Sequence, residues 1–184
     1  MRGAWNQGID WNLTQHAMAK PKRIVYVDTN AIIEAERSRC LKAILNHYDV
    51  RTVEEVRRET LHVPHGKKAY VKVDEALLGA HVKVSEVNQA EVLSAAVTAP
   101  GLMTLDKGER DLLAHVAGLK TSDVWVLTTA DRAAVRTACA LGISAKLVSL
   151  EKLARDCGQK PSIREWFTDQ WLHQVRAEYL MCGW

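Results

Sequence analysis

Two unbroken apolar runs stand out in the chain, and an acidic residue follows each of them. The first is Ile24 to Val27, which ends at Asp28, and the second is Val124 to Thr129, which ends two residues before Asp131. Runs of β-branched and aromatic residues without alternation are typical of strands buried on both faces, as in a parallel sheet. The pattern therefore predicts two central strands, each with a carboxylate at its C-terminal end.

Weaker patterns predict the other elements. Apolar residues at helical spacing indicate helices, and short alternating segments indicate further strands. In chain order we expect a helix from Ala31 to Leu45, a strand at Tyr48 to Val50, a helix from Thr52, an irregular loop from Leu61 to Ala80, a strand within His81 to Val87, helices from Gln89 to Val97 and from Asp106 to Ala117, a helix from Ala133 to Leu141, a strand at Ala145 to Val148, and helices from Glu151 to Cys157 and from Ile163 onward.

Strands that alternate with helices predict an α/β protein. We expect a three-layer sandwich in which a central, mainly parallel twisted sheet is flanked by helices. The 184 residues suffice for one such core. The predicted organisation is a domain at residues 23–157, an N-terminal arm at 1–22 and a C-terminal helical extension at 158–184.

Composition argues against several classes of protein. Hydrophobic residues make up 47% and charged residues 26% of the chain, as in ordinary globular proteins. No segment approaches the roughly 18 apolar residues of a membrane-spanning helix, and residues 1–22 contain no stretch resembling a signal peptide. We therefore expect a cytoplasmic protein without a membrane partner. The four cysteines form no Cys-x-x-Cys pair, so neither a zinc nor a redox motif is indicated.

Acidic residues also cluster near the starts of two predicted helices. Residues 52–55 (Thr-Val-Glu-Glu) and 106–109 (Asp-Lys-Gly-Glu) both fit the capping box, in which the first side chain and the last glutamate satisfy free amides at a helix start. Glu59 and Asp111 lie beyond these caps and have no local structural task. In each helix, capping therefore accounts for one glutamate, Glu55 or Glu109. It does not account for the other acid, Glu59 or Asp111.

The unexplained carboxylates are expected at one place. In an α/β sheet the C-terminal strand ends and the helix starts lie at the same edge, where ligands bind. We expect this edge to hold four acids, Asp28, Glu59, Asp111 and Asp131. Crowded carboxylates raise one another's pKa unless a cation intervenes, and hard oxygen ligands without Cys or His suit Mg²⁺ or Mn²⁺ rather than zinc. The alternative for Asp28 is a purely structural helix cap.

The motifs around these acids resemble those of the PIN-domain nucleases, a family that includes the VapC-type toxins of toxin–antitoxin pairs. Val-Asp-Thr-Asn at 27–30 looks like the first motif of the family, and Val-Arg-Arg-Glu at 56–59 looks like the second. Leu-Asp-Lys-Gly-Glu-Arg-Asp-Leu-Leu-Ala at 105–114 resembles the third, and Leu-Thr-Thr-Ala-Asp-Arg at 127–132 resembles the fourth. The resemblance covers about residues 24–157.

The resemblance implies a divalent-metal-dependent nuclease that hydrolyses phosphodiester bonds in RNA, or less often in DNA, and leaves 5′-phosphate and 3′-hydroxyl ends. It implies Asp28 and Asp111 as direct ligands of Mg²⁺ or Mn²⁺. Glu59 and Asp131 would bind the metal or orient its waters. Glu109 is the rival of Asp111 for the third acid, and the capping box favours Asp111 because it already employs Glu109.

Supporting residues and partners follow from the same resemblance. Asn30 and Thr129 would donate hydrogen bonds that hold the carboxylates or the substrate. Besides the RNA substrate, an antitoxin protein is implied as a partner if the chain is a toxin. The arm at 1–22 and the helix after Pro161 make the chain longer than the usual toxins, which argues more against a toxin than against a nuclease.

Basic residues around the predicted loop indicate where an RNA substrate would contact the protein. The candidate phosphate contacts are Arg57, Arg58, Lys67, Lys68 and Lys72. The net charge of +3 permits such a local patch. His62 and His65 lack further ligands at zinc-finger spacing, so a zinc site is disfavoured there.

Alternatives stay open for the function and for one surface. A PIN-like nucleic-acid-binding or scaffold protein would keep the fold without turnover. A phosphatase of the haloacid-dehalogenase type would need a second aspartate two residues after Asp28, where Asn30 stands. The aromatic stripe of the C-terminal helix, formed by Trp166, Phe167 and Trp171, predicts core packing, with self-association into a homo-oligomer as the alternative.

Overall fold

The structure is a computed structural model that describes residues 21–62, 71–120 and 122–182. Almost all of the arm predicted at 1–22 lies outside the described residues. The same holds for His65 and for two of the candidate phosphate contacts, Lys67 and Lys68.

A four-stranded sheet forms the centre of the fold, and all its strands are parallel. The strands are β1 (Ile24–Val27), β2 (Asp49–Val53), β3 (Val82–Ser85) and β4 (Trp125–Thr128). Their order is β3-β2-β1-β4, and the register pairs Val25 with Val50 on one side and with Val126 on the other. The two unbroken apolar runs therefore form the adjacent strands β1 and β4.

Nine α-helices within the described residues flank this sheet. They are α1 (Thr29–Arg37), α2 (Leu41–His47), α3 (Glu54–Leu61), α4 (Glu75–His81), α5 (Gln89–Thr98), α6 (Lys107–Ala117), α7 (Arg132–Ala140), α8 (Leu150–Asp156) and α9 (Asp169–Cys182). Three short 3₁₀ segments occupy Pro100–Thr104, Ser144–Lys146 and Glu165–Phe167. The predicted α/β fold with a parallel sheet flanked by helices is confirmed.

One hydrophobic core joins the sheet to its helices. Burial of one aliphatic side chain contributes about 1.5–3 kcal/mol, so this core is the main stabilising element. Phe167, Leu172 and Val175 of the predicted C-terminal extension are buried in the same core. The aromatic stripe thus packs mainly inward, although Trp166 is 46% exposed. Self-association and the domain boundaries at 22 and 157 stay predictions.

A buried carboxylate ties the C-terminal segment to α1. Glu34 accepts hydrogen bonds from the Arg37 guanidinium, at 2.5 and 2.7 Å, and from the Arg164 amide at 2.8 Å. Arg37 also donates to the carbonyl of Ser162 at 2.9 Å. This network anchors the chain just before α9 to the helix that follows β1.

Two predictions between residues 31 and 80 are wrong in detail. The single helix predicted after Asn30 is two helices, because Arg39 adopts a left-handed φ of 62° that interrupts helical geometry. The segment predicted as an irregular loop contains α4. Asp74 caps that helix by accepting hydrogen bonds from the amides of Ala76 and Leu77, a signal that the sequence analysis missed.

Two predictions near the C-terminus are also wrong. The strand predicted at Ala145 to Val148 is a 3₁₀ turn followed by a single parallel bridge between Leu147 and Leu127. The turn uses the residues that a strand would need, so one bridge is all that forms. The last helix begins at Asp169 rather than at Ile163, since a 3₁₀ segment precedes it.

None of the described helices is long and apolar enough to cross a bilayer.

Candidate metal centre

The topological switch point of the sheet lies between β1 and β4. From β1 the chain proceeds to β2 and β3 on one side, whereas β4 pairs with β1 on the other. The strand ends at such a point are the usual ligand site of an open α/β sheet. Asp28 follows β1, and its amide donates a 3.4 Å hydrogen bond to the carbonyl of Thr128, the last residue of β4. The two predicted strand-end acids, Asp28 and Asp131, are therefore at the same edge.

Asp28 is fully buried, with 1% exposure. It caps α1, because Oδ1 accepts a 2.6 Å hydrogen bond from the Ala31 amide. Oδ2 is also buried and has no hydrogen-bond partner among the described residues. Burial raises the pKa of the Asp28 carboxyl to about 6, and the nearby Thr129 hydroxyl partly opposes this rise. The hydroxyl makes no regular hydrogen bond to Oδ2. The cap therefore uses one oxygen and leaves the other, among the described residues, without a hydrogen bond.

Asp131 repeats this arrangement at the end of β4. It caps α7, with Oδ1 accepting a 2.7 Å hydrogen bond from the Ala134 amide. Thr129, which is buried, accepts a 3.2 Å hydrogen bond from the Asp131 amide through its hydroxyl oxygen. Thr129 thus holds the turn that carries the second acid, while its predicted hydrogen bond to a carboxylate or substrate stays a prediction.

Glu109 lies among these carboxylates. Burial raises the pKa of Glu109 to about 8, and the negative charges of Asp131 and Asp28 add to the shift. Asp28, Glu109 and Thr129 also line one small gap in the structure. The acid that was expected to serve in a helix cap therefore faces the site, and in the absence of a cation its protonated form is favoured at neutral pH.

Asp111 lies apart from that group. Its carboxylate is 3.6 Å from Lys107 Nζ and accepts a 3.3 Å hydrogen bond from Arg110 Nε. Asp111 was preferred over Glu109 on the premise of a capping box, and that premise is wrong, because the Asp106 side chain makes no capping hydrogen bond. The structure groups Glu109 rather than Asp111 with the strand-end acids, and the metal role of either stays a prediction.

Glu59 reaches the site from α3. Its Oε2 accepts a 2.8 Å hydrogen bond from the Thr29 hydroxyl, and its Oε1 accepts a 3.1 Å hydrogen bond from the Gly108 amide. Its charge is one of those that raise the pKa of Glu109. Sequence analysis did not single out Thr29 or Gly108; the available signals were a threonine next to Asp28 and a glycine in the first turn of a predicted helix.

The second predicted capping box, at 52–55, is also wrong. Thr52 belongs to β2, where its hydroxyl donates a 2.8 Å hydrogen bond to the Val27 carbonyl, and α3 begins without a side-chain cap. Glu55 instead forms ion pairs with Arg58 and, at 2.6 Å, with Lys107. Hydrogen bonds from these two cations lower the pKa of Glu55 to about 2.

The four acids Asp28, Glu59, Glu109 and Asp131 have no such cations. None of them forms an ion pair with a described Lys, Arg or His. No three His, Cys, Asp or Glu side chains in the described ranges surround one point closely enough to hold a metal ion. The donors still fit Mg²⁺ or Mn²⁺, because Mg²⁺ commonly uses one or two carboxylates and completes its coordination with waters and substrate phosphates. Asp28 Oδ2 and Glu109 are the groups that would hold it.

No protein-family model and no curated protein matches this chain. The functional inference therefore rests on the sequence motifs and on the geometry of the site.

The remaining predicted residues surround the site less closely. Asn30 is exposed at the start of α1. Arg57 and Arg58 pair with acids of their own helix, Arg57 at 3.5 Å from Glu54, and Lys72 is exposed beyond the 63–70 segment. Exposed cations on this side of α3 are compatible with phosphate contacts, which stay a prediction.

Proposed function

We propose that the chain is a divalent-metal-dependent endoribonuclease of the PIN-domain type. The observation that carries the proposal is a group of acids that form no ion pair with a described cation, Asp28, Glu59, Glu109 and Asp131, at the switch point of a parallel sheet. Such a group is unfavourable in a folded protein unless a cation or bound protons compensate it. The four sequence motifs, which occur in the order of the PIN-domain family, supply the reaction class.

Each acid of the site has a separate proposed role in phosphodiester hydrolysis. With Mg²⁺ or Mn²⁺ bound, the site gains the means to activate water for attack on phosphorus and to stabilise charge on the phosphate oxygens. Asp28 and Glu109 would hold the ion, and Glu109 would release its proton as the ion binds. Asp131 and Glu59 would accept hydrogen bonds from water and keep it aligned with the phosphate. Hydrolysis is expected to leave 5′-phosphate and 3′-hydroxyl ends.

The substrate and partners are proposals of the same kind. RNA is favoured over DNA by the sequence resemblance, with Arg57, Arg58 and Lys72 on the approach. An antitoxin partner, a homo-oligomer and a cytoplasmic location stay predictions.

A second candidate is a nucleic-acid-binding or scaffold protein of the same fold without turnover. The observation that favours it is that no three acids surround one point in the described part of the chain. It predicts RNA binding that divalent metal does not alter, whereas the nuclease predicts cleavage.

Cleavage of labelled single-stranded RNA and of its DNA counterpart separates the two candidates. The reactions contain Mg²⁺, Mn²⁺ or a chelator, and the variant is Asp28→Asn, which retains a good helix cap. Asp74→Asn is the matched control, since Asp74 caps α4 outside the acid group. Metal-dependent cleavage that is lost only in Asp28→Asn supports the nuclease. RNA binding without cleavage in any metal would favour the second candidate.

A further inference from the structure

We propose that Thr29 and Gly108 are positioning residues that fix the Glu59 carboxylate for a bound divalent cation. We call the Thr29 hydroxyl and the Gly108 amide the Glu59 cradle. The inference rests on the proposed function, because it concerns how the same site is prepared for its metal.

The cradle joins three helices around one carboxylate. Glu59 lies on α3, Thr29 is the first residue of α1, and Gly108 is the second residue of α6. The donors approach different oxygens, Thr29 Oγ1 at 2.8 Å from Oε2 and the Gly108 amide at 3.1 Å from Oε1. Rotation of the carboxylate would break at least one of these bonds. Each oxygen keeps a second lone pair that can accept from water or contact a cation.

Gly108 also provides the space that Glu59 occupies. A Cβ at position 108 would lie 2.5 Å from Glu59 Oε2 and 2.9 Å from both Cδ and Oε1. These distances are too short for any packed pair of atoms, so a side chain at position 108 would displace the carboxylate. Helix stability does not explain this glycine, because alanine is favoured over glycine within a helix.

Fixing Glu59 before the metal binds has an energetic value. A glutamate side chain loses rotamer entropy when it is ordered. The cradle orders the Glu59 side chain during folding, so metal binding does not cause this loss of entropy. Positioning of this kind characteristically changes metal affinity or activity by about 10–100-fold.

The first test measures Mn²⁺ affinity by titration calorimetry at constant pH. Gly108→Ala and Thr29→Val are expected to weaken binding about tenfold, whereas Thr29→Ser retains the hydroxyl and stays within about threefold. The matched control is Gly79→Ala, because a Cβ at this helical glycine of α4 meets nothing within 4 Å. The thermal unfolding of each variant in chelator is measured alongside, so that a loss of fold is recognised.

The deciding comparison repeats these substitutions in the Glu59→Ala background. If Thr29 and Gly108 act through Glu59, then Gly108→Ala and Thr29→Val cause no further loss of Mn²⁺ affinity there. Equal losses with and without the Glu59 carboxylate would overturn the proposal.

A second readout does not depend on metal. In chelator, the amide proton of Gly108 should shift in the NMR spectrum of Glu59→Ala as its hydrogen bond is lost, while the Gly79 amide should not. An unchanged Gly108 amide would refute the cradle itself. Absence of Mn²⁺ binding by the unmodified protein would refute the proposed function and the positioning role, but a Glu59-dependent Gly108 amide would still confirm the contact.

Discussion

Helices α3 and α6, together with the ends of β1 and β4, present two groups of acids that differ in one respect. In the first, which we call the paired group, Glu55 and Asp111 lie among Arg58, Lys107 and Arg110. The second, which we call the unpaired group, consists of Asp28, Glu59, Glu109 and Asp131 and forms no ion pair with a described cation. The pKa values of the two groups therefore shift in opposite directions: that of Glu55 falls to about 2, and that of Glu109 rises to about 8.

This contrast teaches how to distinguish a structural acid from a candidate ligand. Both groups include carboxylates of α3 and of α6, so the number of acids on these helices does not distinguish the two groups. The informative property is whether the protein supplies its own cations. Where the described cations form no ion pairs with the acids, the proposed function assigns the compensating charge to an external ion, and the predictions below test that assignment.

The largest effect is expected for Asp28→Asn. The substitution removes a buried carboxylate oxygen without a partner, so metal-dependent cleavage should fall by at least about 10³-fold, corresponding to several kcal/mol of lost charge stabilisation. The unfolding free energy in chelator should not fall, since an amide is easier to bury than an unpaired charge. Cleavage assays and chemical denaturation measure the two. Retained cleavage with an intact fold would show that the unpaired group is not the catalytic site.

The next effect separates Glu109 from Asp111. Glu109→Gln should reduce cleavage and Mn²⁺ affinity by about 100-fold or more, while Asp111→Asn, in the paired group, should change either by less than about threefold. Both substitutions replace a carboxyl by an amide at positions two residues apart on α6, so each is the control of the other. The reverse order of losses would restore Asp111 as the third acid.

Whether the sequence could predict a feature of this site depends on how far apart in the chain the interacting residues lie. Asp28 and Asp131 follow strong apolar strands, so their meeting followed from strand parallelism alone. The ion pair between Glu55 and Lys107 joins residues 52 positions apart, and no local sequence pattern predicts it. The local pattern predicts capping boxes at Thr52 and Asp106, but β2 extends through Thr52, and the Asp106 side chain makes no capping hydrogen bond. Tertiary packing overrode both local signals.

The fold divides in the same way. The strands β1 and β4 were predictable from their unbroken apolar runs, whereas the break at Arg39 and the single bridge at Leu147 were not. A left-handed arginine has no signature in a helical pattern. Whether an apolar segment becomes a strand depends on how much of it can pair with its neighbour, which is settled only in three dimensions.

A third prediction concerns pH in the absence of metal. The folded protein binds protons at Glu109 and Asp28 that the unfolded chain releases, because their folded pKa values, about 8 and about 6, exceed the usual 4.5 and 3.8. Stability should therefore be greatest below about pH 4 to 4.5, as far as these two groups determine it, and should fall as pH rises to 8. The expected loss is on the order of several kcal/mol, of which the fully buried Asp28 accounts for about 3, after allowance for solvent screening of the half-buried Glu109.

Denaturation in chelator across this pH range measures the effect. Saturating Mn²⁺ should remove most of the loss, and Glu109→Gln should flatten the profile in chelator. A profile that is flat for the unmodified protein would contradict the charge deficit of the unpaired group.

The smallest effect is expected in the paired group. Glu55→Gln should lower stability slightly at neutral pH, and high salt should reduce the difference, because Arg58 and Lys107 are largely solvent-exposed. Since the pKa of Glu55 is lowered, its contribution is present above about pH 4.5 and is lost as pH falls towards 2. Mn²⁺ affinity should change by less than about threefold. A large loss of metal affinity would mean that the two groups are not separate.

The most direct test of the charge deficit is a calorimetric titration of Mn²⁺ into the unmodified protein and into Asp28→Asn at pH 7. Each titration is run in two buffers with different ionisation enthalpies, which reveals protons released on binding. We predict one binding event that releases protons, because Glu109 is largely protonated at this pH, and we predict its loss in Asp28→Asn. Undetectable binding by the unmodified protein, or equal binding by both proteins, would contradict the assignment of a divalent cation to this group of acids.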